Sequence, residues 1–371
     1  MTFLIFVVIL SVLILVHEFG HFWTARKLGV RVEEFALGFG PKLFSWTRNG
    51  TEYRLCAIPL GGYVKMAGDE RIRVQGKPDE FFSKPVGHRA LIALMGPVVN
   101  FIFAYLCFCI VFMVGLVDLD ASSKNVPAKV GKVMAASPAE RAGLHVNDLV
   151  LQIDGKPVSN WGEMQDDVMA SKGKARTLLV SREKKNIEIH VTPEFQQTKD
   201  IFGKEHEVSR IGIQPGNPDS SEHLVIRKYG FLPSFIEAGK ELWSVTARTY
   251  EALWEIVTGQ KSAKEGMTGL IGIFFVIKFA TAVGFAFLLH VVGVVSASLA
   301  IFNVLPLIPL DGGHLALLGL EKLRGRPLSD RTDDILGKVG FALIIMLALF
   351  VFYLDFERIG LIDKVRHFFV K

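Results

Sequence analysis

His17-Glu18-Phe19-Gly20-His21 is the stretch of this 371-residue chain best equipped for chemistry. On a helix, residues i and i+4 share a face, so both imidazoles can reach one metal ion while Glu18 sits beside it as a base for water. The setting sharpens the expectation. From Met1 to Ala25 Glu18 is the only carboxylate, and a charged group at the middle of a spanning helix costs about 2.5–3.5 kcal/mol unless it is paired or coordinated. Three polar groups clustered in an apolar helix therefore point to a metal. A zinc site built for hydrolysis takes three protein ligands and leaves a fourth position for water. The candidate for the third is Asp311, in Asn303-Val-Leu-Pro306-Leu-Ile-Pro309-Leu-Asp311-Gly312-Gly313-His314. Prolines break a helix there and free backbone groups, which a membrane tolerates only where they are buried in protein or line a cavity. His314 is a rival ligand, although its place after two glycines suits a residue that faces water or caps the next helix.

The elements that must position these residues follow from composition. Hydrophobic residues make up 50% of the chain and charged ones 21%, with mean hydropathy +0.36 and formal net charge +5. The apolar residues collect in long runs, which marks a membrane protein and excludes a disordered chain or a collagen-like fibre. Three cysteines, two of them (Cys107 and Cys109) inside an apolar run, exclude a disulfide scaffold. About 20 residues cross the hydrocarbon core. The pattern predicts a polytopic α-helical membrane protein of about four transmembrane helices, at 1–25, 90–117, 270–310 and 339–356. The 270–310 run is too long for one straight helix, so its early part lies at the interface, re-enters or makes a fifth span. The first run lacks a basic leader and a small-x-small cleavage site, so a retained helix is expected rather than a signal peptide.

Twelve Lys and Arg fall in 26–89 and five in 311–338, against none before residue 26 and four after Leu354. The positive-inside rule then puts 26–89 and the 311–338 loop in the cytoplasm, with the N-terminus, the 118–230 region and the 357–371 tail outside. The basic excess is thus a topology signal and not a nucleic-acid footprint. Under this topology His21 and Asp311 both lie at the cytoplasmic side of their spans. Within 26–89, Glu33–Leu37, Lys42–Trp46, Tyr53–Ile58 and Tyr63–Met66 read as short β runs separated by turn signals, among them Asn49-Gly50 and Gly61-Gly62. Such a membrane-associated sheet could receive an unwound substrate as an added strand. Residues 231–269 hold an amphipathic helix with Trp243 and Trp254 as anchors, lying on the outer membrane face, on the neighbouring domain or within it.

The stretch Ser137-Pro-Ala-Glu-Arg-Ala-Gly143 through Asp148 to Val158 resembles a PDZ domain, covering about 127–194, with Asn147 where the usual pattern has Gly; Asn tolerates the left-handed conformation. PDZ domains bind extended peptides or protein tails at a sheet edge. The chain as a whole resembles the site-2 protease family of intramembrane zinc metalloproteases, most closely its bacterial RseP-type members. The likeness rests on His17-Glu18-x-x-His21, Gly38-Phe39-Gly40-Pro41, Pro59 through Lys65, Gly96-Pro97-Val-Val-Asn100, the PDZ domain, and Asn303 through Gly312. It departs from the family in having Ile308 and Pro309 where a Pro is usual one position earlier, and in reading Thr268-Gly269-Leu270 where Ser/Thr-Gly-Pro is usual. The resemblance implies His17, His21 and Asp311 as zinc ligands and Glu18 as general base. It implies Asn303, with Asn100, Gly61 and Gly62, as residues against the substrate. It further implies regulated intramembrane proteolysis of single-span substrates, such as anti-sigma factors or remnant signal peptides, in the bacterial inner membrane. A PDZ membrane scaffold without catalysis and a metal transporter are the competing readings.

Overall fold

Uncharged runs of this length can satisfy their backbone only as helices, and they do so in the computed structural model, which describes residues 1–69, 74–118, 126–199, 205–215 and 225–361. Expectations for the tail beyond 361 lie outside the described residues. In chain order, α1 (Thr2–Lys27) is followed by β1 (Val32–Arg48), β2 (Thr51–Met66) and α2 (Val86–Val114). Next come β3 (Leu116–Asp118), β4 (Val130–Val133), α3 (Pro138–Arg141), β5 (Leu149–Ile153), β6 (Lys156–Pro157) and α4 (Trp161–Ala170). Six further strands are β7 (Arg176–Arg182), β8 (Lys185–Val191), β9 (Glu194–Lys199), β10 (Glu205–Arg210), β11 (Ile213–Pro215) and β12 (Val225–Arg227). The chain then returns to helix as α5 (Phe231–Val257), α6 (Ala263–Gly266), α7 (Leu270–Val283), α8 (Phe285–Val304), α9 (Asp311–Arg324) and α10 (Asp330–Arg358).

Among the described residues α1, α2, α8 and most of α10 are long and apolar enough to cross a membrane. The 270–310 run resolves into two helices. It divides at Gly284, whose φ of 138° no ordinary side chain adopts easily. The 14 residues of α7 reach about 21 Å, short of a bilayer core of about 30 Å. The expected 311–338 loop is instead largely helical, because the leucine-rich run after Asp311 buries Leu318 and Glu321 along α9. The four short runs expected in 26–89 appear as two long strands that bend at bulges. Asn49 and Gly50, with φ of 51° and 78°, form the tight turn between them. Glu34 to Leu37 each face two partners, one in 52–55 and one in 62–65, so that this segment lies between the other two.

The chain divides into two compact units, residues 1–114 with 229–357, and a second formed mainly by 115–228. In the second, a four-stranded sheet of order β6-β5-β7-β8 and the β4–β11 pair enclose a core that includes Val130, Leu144, Val150, Leu178 and Val180. Asn147 takes φ 75°, the left-handed conformation expected of it. Ser137 and Asn160 cap α3 and α4, their side chains accepting from Glu140 N and Glu163 N. Burial works against ionisation of Asp148, but the Arg182 guanidinium and the His145 N–H, both bonded to it, outweigh that and hold its carboxyl below the usual range. The domain extends past the expected limit of 194. Ile211 packs in the same core and β11 pairs with β4, so a strand after the β9–β10 hairpin closes the fold.

In the first unit the amphipathic helix α5 differs from expectation. It packs along α2 and α8, presenting the buried small residues Ser234 and Ala238, while Trp243 and Trp254 stay exposed. Tyr105 Oη donates to Phe235 O at 3.1 Å, and Glu241 lies 3.1 Å from His290, the one titratable residue of α8. Asp355 of α10 accepts the N–H groups of Gly269, Ile271 and Gly272, capping α7. A Cβ at Gly269 would strike that carboxylate, which explains the glycine before α7.

Arg89 at the start of α2 reaches Glu321 near the end of α9 with two hydrogen bonds, at 2.5 and 3.2 Å, both side chains being buried. Losing one member strands a buried charge, which costs about 3–5 kcal/mol, whereas replacing both by apolar residues is often nearly neutral. Arg89→Met and Glu321→Met should therefore each destabilise the detergent-solubilised protein by about that amount, and the double variant by clearly less than their sum. Denaturant titration of all four proteins checks this.

Candidate metal centre

The geometry of α1 brings His17 and His21 to one face, and their ring centroids lie 4.8 Å apart. Two glycines let α2 come close enough to complete the surroundings. A Cβ at Gly20 would overlap the Met95 carbonyl, and one at Gly96 would overlap the rings of both His21 and His17. Pro97 has no N–H and crowds the carbonyl four residues back, loosening this turn of α2. Beside it, Ile92 O lies 2.8 Å from His21 Nδ1. A carbonyl can only accept, so the ring proton sits on Nδ1 and Nε2 carries the lone pair.

The third group arrives 290 residues later in the chain. After α8 the Pro306 and Pro309 region turns the backbone, and Asp311 opens α9. Gly312 and Gly313 permit that turn, since a Cβ at either would collide with backbone of residues 304–308. Asp311 Oδ2 lies 3.1 Å from His17 Nε2 and 3.5 Å from His21 Nε2, and the two Nε2 atoms are 3.2 Å apart. Among the described residues this trio forms a cluster whose ligand atoms all lie within 4.8 Å of one another. Asp311 Oδ2 is buried and satisfies no hydrogen bond.

These separations suit zinc. Bonds of 2.0–2.2 Å to nitrogen and oxygen in a tetrahedron put ligand atoms about 3.3 Å apart, close to all three edges of the triangle. A buried carboxylate oxygen facing the lone-pair nitrogen of His21 is repelled unless a cation lies between them. The donor set and its orphaned oxygen thus fit a divalent metal.

A cavity of about 670 Å³ opens on the trio, lined also by Glu18, Tyr63, Val64, Met66, Asn303 and His314. His314 is exposed and stands outside the cluster. Asn303 lines the cavity, its Nδ2 donating to Leu299 O at 3.0 Å. Gly62 backs onto α1, where a Cβ would lie 3.4 Å from Glu18 Cγ; Gly61, at φ 115°, packs under the Phe39 ring instead. The sheet runs deep alongside α1, since Ser11 Oγ donates to Pro59 O at 2.9 Å. Asn100 stands apart from the substrate position expected of it. It is fully buried and does not line the cavity, and its amide lies 3.3 Å from His17 Nδ1. Sequence reasoning also missed the Gly20 and Gly96 contact, whose only signal was a glycine on each of two apolar runs.

The match to known proteins spans most of the chain. Residues 5–347 fit the family model described as peptidase family M50. The chain is similar to the Regulator of sigma-E protease RseP of Salmonella typhimurium, with 30% identity over 95% of this chain and 98% of the relative. It is 29% identical over the same shares to the protein of that name in Escherichia coli. A Rhizobium meliloti protein that carries a zinc metalloprotease name is 32% identical over 94% of this chain and 95% of its own. Over 24% of the chain, the PDZ domain of an SdrC-like protein of Listeria innocua aligns at 27% identity, covering 92% of that domain, with a TM-score of 0.20.

Filling the Gly96 contact with one methyl should push the imidazoles off position. Overpacking costs about 1–3 kcal/mol, or roughly 5- to 150-fold in an equilibrium. Gly96→Ala should lose zinc affinity by that factor, while Gly87→Ala, in the same helix with open space around it, should bind as wild type. Competition with a chromophoric chelator measures both.

Proposed function

We propose that this chain, which belongs to peptidase family M50 and is a metalloprotease, is a zinc endopeptidase that cuts within the membrane-spanning segments of single-span proteins. The observation that carries the proposal is the meeting of His17, His21 and Asp311 in one cavity with Glu18, on a helix otherwise suited to span a bilayer. His17, His21 and Asp311 hold the metal. When bound, zinc supplies Lewis acidity, polarising a substrate carbonyl and lowering the pKa of water. Glu18 takes a proton from the water that attacks the carbonyl carbon and delivers it to the departing amide nitrogen as the C–N bond breaks.

A peptide bond inside a helix is shielded, so the substrate must unwind and extend before it can be cut. The 62–65 run of β2 has 34–37 as its partner and borders the cavity through Tyr63 and Val64. An extended substrate pairs there as an added strand, and Asn303 steadies its backbone. Exposed Leu43, Phe44, Trp46 and Ile58 on the same sheet suit contact with lipid.

The second unit acts as a PDZ domain outside the cytoplasmic membrane, docking or filtering partners. Between α4 and β11 lies a groove of about 320 Å³ lined by Met164, Met169, Ile213 and Ser209, whose buried hydroxyl has no partner. That lining suits an extended peptide with an apolar side chain at its end, and anti-sigma factors or remnant signal peptides trimmed by an earlier protease would present such new ends.

Glu18→Gln should keep its zinc yet cleave a single-span test substrate about 10²–10⁴-fold more slowly; equal cleavage by both proteins would overturn the proposal. Separately, Met169→Glu should weaken anisotropy-measured binding of apolar-ended peptides by about tenfold or more, since it sets a carboxylate in the groove. Unchanged binding would move the peptide site elsewhere.

A further inference from the structure

We infer that Asn100 decides which nitrogen of His17 is offered to the metal, a role that rests on His17, His21 and Asp311 being zinc ligands. The side chain is fully buried on α2, and its backbone carbonyl accepts from the buried Ser296 hydroxyl of α8 at 2.9 Å. Its amide meets His17 Nδ1 at 3.3 Å, on the far side of the ring from Asp311. Nδ2 faces that nitrogen, and Asn100 Oδ1 is buried with no partner.

The two ends of an amide are told apart by the hydrogen bonds they make. With Nδ2 donating to His17 Nδ1, the neutral ring carries its proton on Nε2, aimed at Asp311 and His21, where it cannot bind a cation. Turning the amide by half a revolution places Oδ1 against Nδ1 and gives the orphaned oxygen a donor. The ring proton then sits on Nδ1 and Nε2 presents its lone pair. His21 already has this arrangement, with Ile92 O behind its Nδ1. Both imidazoles are thus oriented from behind by an oxygen of α2, one from the backbone and one from Asn100, the kind of outer support that fixes ring tautomer and orientation at metal sites. Asn100 touches neither the cavity nor the ion and is a positioning residue.

The test uses the full-length chain in detergent, stripped with a chelator and titrated with zinc against a chromophoric competitor. Asn100→Leu keeps the volume but offers no acceptor, and Asn100→Asp offers only acceptors. Asn100→Leu should lose about 10- to 100-fold in zinc affinity, with Asn100→Asp staying within about threefold of wild type. Wild-type affinity in the Leu variant overturns the role, and so does a loss in the Asp variant as large as that in Leu, which would mean that the amide nitrogen or the packing matters instead. If gel filtration shows the Leu variant misfolded, the Asp variant decides alone: retained affinity supports the role and a loss beyond tenfold overturns it. A wild-type chain that takes up no zinc would overturn the metal centre itself, whereas a Leu variant that binds normally overturns only Asn100.

Discussion

Beside an apolar helix long enough to span a bilayer, lone pairs from two imidazoles and a carboxylate converge on one small volume, and most other features of the first unit answer to that convergence. Like-signed dipoles and a buried carboxylate repel at this range. Two of the three are braced from behind, His21 by the Ile92 carbonyl and Asp311 by its place at the opening of a helix whose first N–H groups favour an anion. The glycine contacts of α1 with α2 matter for the same reason. A wider crossing would let the rings tilt, and a tilted imidazole no longer presents its lone pair to the common point.

A second constraint comes from the substrate. Hydrolysis requires an extended backbone, and the sheet edge proposed to receive it runs beside α1, with Ser11 and Pro59 recording how far along α1 the sheet reaches. The buried Arg89–Glu321 pair ties the start of α2 to the last turns of α9, so α9, which begins with Asp311, is fixed at its far end as well. Cavity, sheet edge and ligand triangle therefore share one framework.

Local chemistry was legible in the sequence, and of the distant pairings only that of Asp311 with the two histidines was expected. The i, i+4 spacing of His17 and His21 puts both on one face of any helix, and the structure brings Asp311 to them. Asn147 declared its left-handed turn, and Asn49-Gly50 its hairpin, because each depends on two or three neighbouring residues. The division of 270–310 at Gly284 was half legible, as a run too long for one helix with no charge to mark the break. By contrast, Asp355 capping α7, Glu321 receiving Arg89 and Asn100 backing His17 join residues 83 to 232 positions apart. No periodicity in a single chain reports such partners. The strand after residue 210 escaped notice for a related reason: it is three residues long and belongs to the domain only through its pairing with β4.

The ligand triangle draws two corners from the opening helix and the third from residue 311. During synthesis the ribosome must therefore add about 290 residues after His21 before all three corners can meet. A product cut short between His21 and residue 311 carries Glu18 and both imidazoles but lacks the carboxylate of Asp311. Dividing the corners between residues 17–21 and residue 311 makes assembly of the trio a late step in the folding of this unit.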